Sequence, residues 1–241
     1  ALKSATKPIA GGLLFNNEEI GDSQQLCAAL TKILQEFGVE FIYNCEVVRI
    51  LTEESSGQIR AVTSGEYFYQ ADQYLFTTGA KNPTLFKDLF PLPIYPVKGY
   101  RLIYPLSPSL ETLRSALVDP EQNITLTRLK DLLYVSGYHG IEGFNAKQNP
   151  REITPLKEMV RAWLPHIETQ EPLEQRLFFR PTTPDGTPII SATQSPNLFL
   201  NMGHGDFKAM LSSGSAKLIA EIMQARPTSL NSYDYALSRR L

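Results

Sequence analysis

Cysteine is scarce: Cys27 and Cys45 are the only two in 241 residues. They are too few for a disulfide framework and lack the paired Cys/His spacing of a zinc site. Reduced thiols and a cytoplasmic chain are the expectation. An excess of charge of one sign is missing too. Lysine and arginine total 23 against 25 acidic residues, a formal charge of −2. These charges are scattered, so electrostatic capture of nucleic acid or anionic lipid is not expected. No apolar run approaches a membrane span in length, and Ala1 to Lys7 lacks the apolar core of a signal peptide. Also missing are Gly-x-Gly-x-x-Gly, a Walker loop, Gly-x-Ser-x-Gly and any metal-ligand cluster. Nucleophilic hydrolysis and metal catalysis are therefore poorly supported.

What remains is enough chain for one large domain or two small ones. Ala1 to Gly12 reads as a loop without an initiator Met, which suggests a fragment or a processed chain. Ser23 to Gly38 is the clearest helix: Leu26, Ala29, Leu30, Ile33, Leu34 and Phe37 recur at three- and four-residue steps. Asp22 or Ser23 supplies the cap oxygen, and Gly38 suits a left-handed stop. Val39–Tyr43 and Glu46–Leu51 follow as strands. Arg60–Ser64 and Glu66–Tyr69 form a hairpin around Gly65, and Gln73–Thr77 is a buried strand. The proline-rich stretch from Pro91 to Pro108 holds the strand Lys98–Tyr104 and marks a crossing into a second region. Ile124–Arg128 and Leu132–Tyr138 pair around Leu129-Lys130-Asp131. A helix runs from about Thr154 to Leu164, Glu174–Phe179 and Asn197–Asn201 are strands, and Met210, Leu211, Gly214, Leu218 and Ile222 mark a last helix. The class is α/β, with α+β character.

Chemistry concentrates in two places. Gly203-His204-Gly205 lies between the apolar strand Leu198-Phe199-Leu200 and a helix beginning near Asp206. Glycines there admit a ligand close to the backbone, and free N–H groups at a helix start favour negative charge. A plain strand-to-helix turn has the same sequence. Arg180 ends the apolar strand Leu177-Phe178-Phe179 and is followed by Pro181. A guanidinium at a buried strand end needs an anionic partner. That partner is either an internal acid such as Asp185 or a ligand carboxylate held bidentately. Tyr95, Tyr100, Tyr104, Tyr134 and Tyr138 either line a pocket or pack in the core.

Taken in order, these segments resemble the FAD-dependent D-amino-acid oxidase superfamily, most closely its bacterial D-amino-acid dehydrogenase branch. The residues carrying the resemblance are Gly11-Gly12-Leu13 with Glu18–Asp22, Asn44–Val47, Thr78-Gly79-Ala80, Pro96–Tyr100 and Gly143-Phe144. Arg180–Pro188 and Asn201–Gly205 follow; Arg-Pro-x-Thr-Pro-Asp-Gly with Gly-His-Gly is the specific part.

The resemblance implies part of an FAD-binding Rossmann-like domain plus a mixed-sheet substrate domain. Residues 1–90 would be the second part of the FAD-binding domain, 91–170 the substrate domain, and 171–241 the C-terminal part of the FAD-binding domain. It further implies oxidation of the Cα–N bond of an amino acid. Arg180 would clamp the substrate carboxylate. Val47, Gly79, Ala80, Gly203, His204, Gly205, Asp206 and Phe207 would contact FAD. The acceptor would be a quinone, with the enzyme cytoplasmic or peripheral at the inner membrane. Lys208 and Phe178 stand where relatives often have glycine, which would crowd the pocket or fit another substrate.

The family's Gly-x-Gly-x-x-Gly unit is absent from this chain. The chain therefore resembles the C-terminal portion of such an enzyme and is expected, alone, to hold FAD weakly or not at all. An apolar face should stand exposed along Val39–Ile42 or Tyr74–Phe76. Two other readings are a noncatalytic piece packing against a second chain or a missing N-terminal segment, and a glycine- or sarcosine-oxidase-like enzyme.

Overall fold

The computed structural model describes residues 5, 9–80, 83–106, 113, 115–167 and 171–239. Most of the expected Ala1–Gly12 loop, and the Pro108 end of the proline-rich crossing, lie outside the described residues. The chain has a mixed α/β fold and divides into two compact units. One unit comprises residues 1–37 and 98–179, and the other 38–97 and 180–241.

The first unit opens with α1 (Ser23–Glu36). Asp22 caps it by accepting from the N–H groups of Gln24 and Gln25 at 3.0 and 3.2 Å. None of the helix is buried: Leu26, Leu30, Ile33 and Leu34 stand between 40 and 57% exposed. The rest of the unit is built on a five-stranded sheet of order β6-β7-β8-β5-β9. Its strands are β5 (Tyr95–Pro105), β6 (Leu117–Asp119), β7 (Ile124–Leu129), β8 (Leu132–Gly140) and β9 (Glu174–Thr182). The ends of β5 and β9 belong to the second unit.

Antiparallel register sets Leu117, Leu126, Val135 and Leu102 side by side on one face. Those side chains join the core with Tyr100, Tyr104, Ile124 and Leu133, against Ile153, Leu156, Met159 and Val160 of α2 (Pro150–Trp163). Each such burial contributes about 1.5–3 kcal/mol, and the i, i+3, i+7 spacing on α2 makes it collective. The helix starts earlier than expected. Asn149 accepts from the Arg151 N–H, and Pro150 occupies the first turn, where its missing N–H costs nothing.

In the second unit, β1 (Arg49–Thr52), β2 (Ile59–Ser64) and β3 (Tyr67–Tyr69) form an antiparallel sheet. The hairpin of β2 and β3 turns at Gly65, whose φ of +57° is a left-handed conformation. A second sheet places β11 (Leu198–Met202) between β4 (Tyr74–Phe76), to which it is parallel, and β10 (Ile189–Ala192), to which it is antiparallel. Helix α3 (Lys208–Met223) packs Leu218 and Ile219 on Ile190 and Phe199 of this sheet.

Val39–Tyr43 is not a strand. No described strand pairs with it, and Val39, Ile42 and Tyr43 are 43, 52 and 68% exposed, so its β-branched and aromatic residues have no pleated surface to pack on. The expected apolar exposure thus appears there, whereas along β4 only Leu75 is exposed, between buried Tyr74 and Phe76.

Candidate active site

Arg180 lies on β9 with its side chain 12% exposed and forms an ion pair through its Nε with the carboxylate of Asp206. Asp206 is half exposed and sits in the single 3-10 turn Gly205–Phe207 that precedes α3. The helix begins at Lys208, and no side chain caps it. Phe207 is 58% exposed. Asp185 is not the partner of Arg180: both its oxygens are held by Arg239, at 2.9 and 3.0 Å.

The segment after Arg180 is met in turn by the glycines singled out in the sequence. Gly79 (φ +68°) approaches Pro181, and a Cβ there would lie 3.6 Å from the proline ring. Gly205 (φ +54°) lies against Thr182 at a corresponding 3.6 Å. Gly203 (φ +83°) packs so tightly on Thr183 that a Cβ would come within 2.8 Å of its methyl group. Thr182 also bridges to His204. The structure therefore brings Arg180–Thr183, Gly79 and Gly203–Asp206 together. Val47 and Ala80 enter differently, through the apolar cluster they share with Phe76, Phe86 and Met202.

Two polar atoms at this turn are buried without a hydrogen-bond partner among the described residues, Asn201 Oδ1 and His204 Nε2. Such atoms are costly unless a ligand or water completes them. Burial also pushes the His204 imidazole below its usual pKa, which favours its neutral form at neutral pH. The sequence placed His204 among the expected FAD contacts, whereas Asn201 entered only as the first residue of the Asn201–Gly205 segment and was given no role. Of the expected tyrosines, Tyr100 and Tyr104 are core residues, and Tyr134 and Tyr138 are half-buried on the sheet.

Residues 1–222 match the family model DAO, described as FAD dependent oxidoreductase. The chain belongs to this family. Solved structures share the fold. Glycine oxidase from Geobacillus kaustophilus aligns over 90% of this chain at 20% identity and a TM-score of 0.78. Iminodiacetate oxidase from Chelativorans sp. BNC1 aligns over 89% at 18% and 0.79. L-Proline dehydrogenase from P. horikoshii aligns over 89% at 17% and 0.77. The chain spans 58, 58 and 59% of those three proteins.

The family is FAD-dependent, and the turn has a feature that suits such a group: two buried polar atoms, Asn201 Oδ1 and His204 Nε2, lack hydrogen-bond partners among the described residues. Among the described residues no His/Cys/Asp/Glu cluster suits a metal, and no helix is long and apolar enough to cross a membrane.

Proposed function

We propose that this DAO-family chain supplies the carboxylate clamp and the flavin-facing turn of an enzyme that oxidises the Cα–N bond of an amino acid. The observation that carries the reading is Arg180, a largely buried guanidinium whose ion partner Asp206 is half exposed beside a glycine turn. Partly freed from Asp206, its planar fork would receive a substrate carboxylate bidentately. Gly203, His204, Gly205, Asp206 and Phe207 would lie along FAD, with Gly79, Ala80 and Val47 toward its nucleotide end. When bound, FAD supplies the acceptor for hydride leaving the α-carbon. The chain's own residues would fix the carboxylate, orient the α-carbon and, through the positive end of α3, favour negative charge beside the turn.

Within this reading we favour a D-amino acid as substrate and a quinone as acceptor, with the enzyme in the cytoplasm or peripheral at the inner membrane. These choices rest on the sequence resemblance. A second reading, a piece that packs against another chain, draws on α1, whose apolar side chains have no described cover.

Both readings meet in one experiment. The chain alone should leave a desalting column with little flavin, because it contains no Gly-x-Gly-x-x-Gly segment to receive the pyrophosphate. Joined to such a segment, it should bind FAD and show flavin bleaching under anaerobic conditions on addition of a D-amino acid. A loaded enzyme that is not reduced by D- or L-amino acids, glycine or sarcosine would remove the proposed activity.

A further inference from the structure

Arg101 carries a charge that the proposed reaction does not use. It is exposed on β5, on the face of the five-stranded sheet opposite the α2 core, since its neighbours Tyr100 and Leu102 point into that core. Pairing sets it in a cross-strand row with Ser136, Thr125 and Val118, and sets Ile103, Tyr134 and Thr127 in the next row. These two rows contain hydroxyl and apolar side chains and no acid. On the neighbouring β9, Glu174 is taken up by Arg176.

The described contacts of Arg101 are with two rings. Its Cζ lies over Tyr134 at 5.9 Å and over Phe178 at 5.7 Å. Aromatic faces attract the charge and restrict the side chain, yet they offer no in-plane lone pair to its N–H donors. A guanidinium held this way loses less entropy when it takes a ligand, and its fork matches two coplanar oxygens.

We infer that Arg101, held by Tyr134 and Phe178 beside Ser136, is a receptor for the carboxylate of a small molecule on the open face of this sheet. The inference does not depend on flavin or on the activity proposed above.

The test uses the full 241-residue chain without cofactor. Glutarate is titrated at constant ionic strength while the arginine Nε–H resonances and the Ser136 amide are followed by NMR, with Arg101→Gln used for assignment. The expected result is a saturable shift of the Arg101 resonance that the Ser136 amide tracks. In Arg101→Lys, which keeps the charge but not the fork, the Ser136 response should need roughly tenfold more glutarate. Phe178→Leu should weaken binding roughly threefold through loss of the ring. A shift that never saturates, an unchanged curve in either variant, or inorganic phosphate binding as well as glutarate would overturn the assignment. Thermal melts of each variant, expected near the parent value for Arg101→Lys because Arg101 is exposed and slightly lower for Phe178→Leu because Phe178 is half-buried, separate loss of binding from loss of fold.

Discussion

Arg239 grips Asp185 with two parallel hydrogen bonds, Nε to Oδ2 at 2.9 Å and Nη2 to Oδ1 at 3.0 Å, and so ties the end of the chain to the Arg180–Pro188 turn. The same guanidinium donates to the carbonyls of Thr187 and Ala236. It is almost fully buried, whereas Asp185 is a third exposed. Arg239→Gln should therefore cost about 2 kcal/mol, below the range for fully buried pairs, and lower Tm by roughly 5 °C. The turn carries Thr183, which backs Gly203, so the same variant should loosen flavin binding in a loaded enzyme.

The pair also sets a pH dependence. Hydrogen bonds from Arg239 hold the Asp185 carboxyl at about 2, well below its ordinary value. A folded pKa below the unfolded one stabilises fully above the unfolded value near 3.9, and that contribution fades as pH falls through the folded pKa. Urea melts between about pH 5 and pH 2 should show this loss in the parent chain and a shallower slope in Arg239→Gln. Identical slopes would mean that the pair does not govern acid stability.

A different charge is locked in the other unit. Lys98 is buried, with its Nζ 3.1 Å from Glu152 and 3.2 Å from Glu142. Tyr100 and Tyr138 donate to those carboxylates at 2.7 Å each. Burial alone would lower the Lys98 pKa, but its hydrogen bonds with Glu152, Tyr100 and Glu142 outweigh burial and raise it. Lys98→Met should cost about 3 kcal/mol, because two facing carboxylates lose their shared cation. Adding Glu142→Gln and Glu152→Gln should restore at least about 1 kcal/mol by removing the repulsion. Chemical denaturation of the single and triple variants checks both statements, and no recovery would place the loss in packing.

Gly203→Ala tests the turn itself. A φ of +83° strains any side chain, and the new Cβ would meet the Thr183 methyl at 2.8 Å. The two effects together should cost about 3 kcal/mol. A melt near the parent value would show that the turn relaxes and is not held by Thr183.

Local rules made much of this molecule legible. The Leu26–Phe37 spacing marked α1, Gly65 marked the hairpin, and Leu129-Lys130-Asp131 marked the β7–β8 turn, where Lys130 adopts a φ of +54°. Those elements are specified by neighbours in sequence. Val39–Tyr43 has strand composition but no described strand beside it, so propensity alone did not make it one. Strand β10 and the start of α2 were missed because prolines at 188, 150 and 155 look like breakers when the chain is read locally. Around Arg180, the glycines and the arginine itself were visible as residue types. The pairing of Arg180 with Asp206, and of Asp185 with Arg239, joins positions far apart in sequence, and spacing carries no record of such contacts.

Arg180→Lys separates the two roles open to that residue. The substitution keeps a positive charge near Asp206 but replaces a planar fork with a point donor. If Arg180 receives the substrate carboxylate in the flavin-loaded enzyme, loss of a charge-assisted bond of about 1.5–3 kcal/mol should lower kcat/KM by roughly one to two orders of magnitude. Misplacement of the α-carbon should lower kcat as well, because hydride transfer needs near-attack geometry. If instead Arg180 serves only its pair with Asp206, whose carboxylate is half exposed, the stake is small, about 1 kcal/mol or less. Arg180→Lys and Asp206→Asn would then give the same slight fall in Tm and near-normal kinetics. Steady-state kinetics and a melt on both variants decide the matter. Unchanged kcat/KM in Arg180→Lys would take the arginine out of the active site, and a fall in kcat/KM there that Asp206→Asn does not reproduce would keep it in.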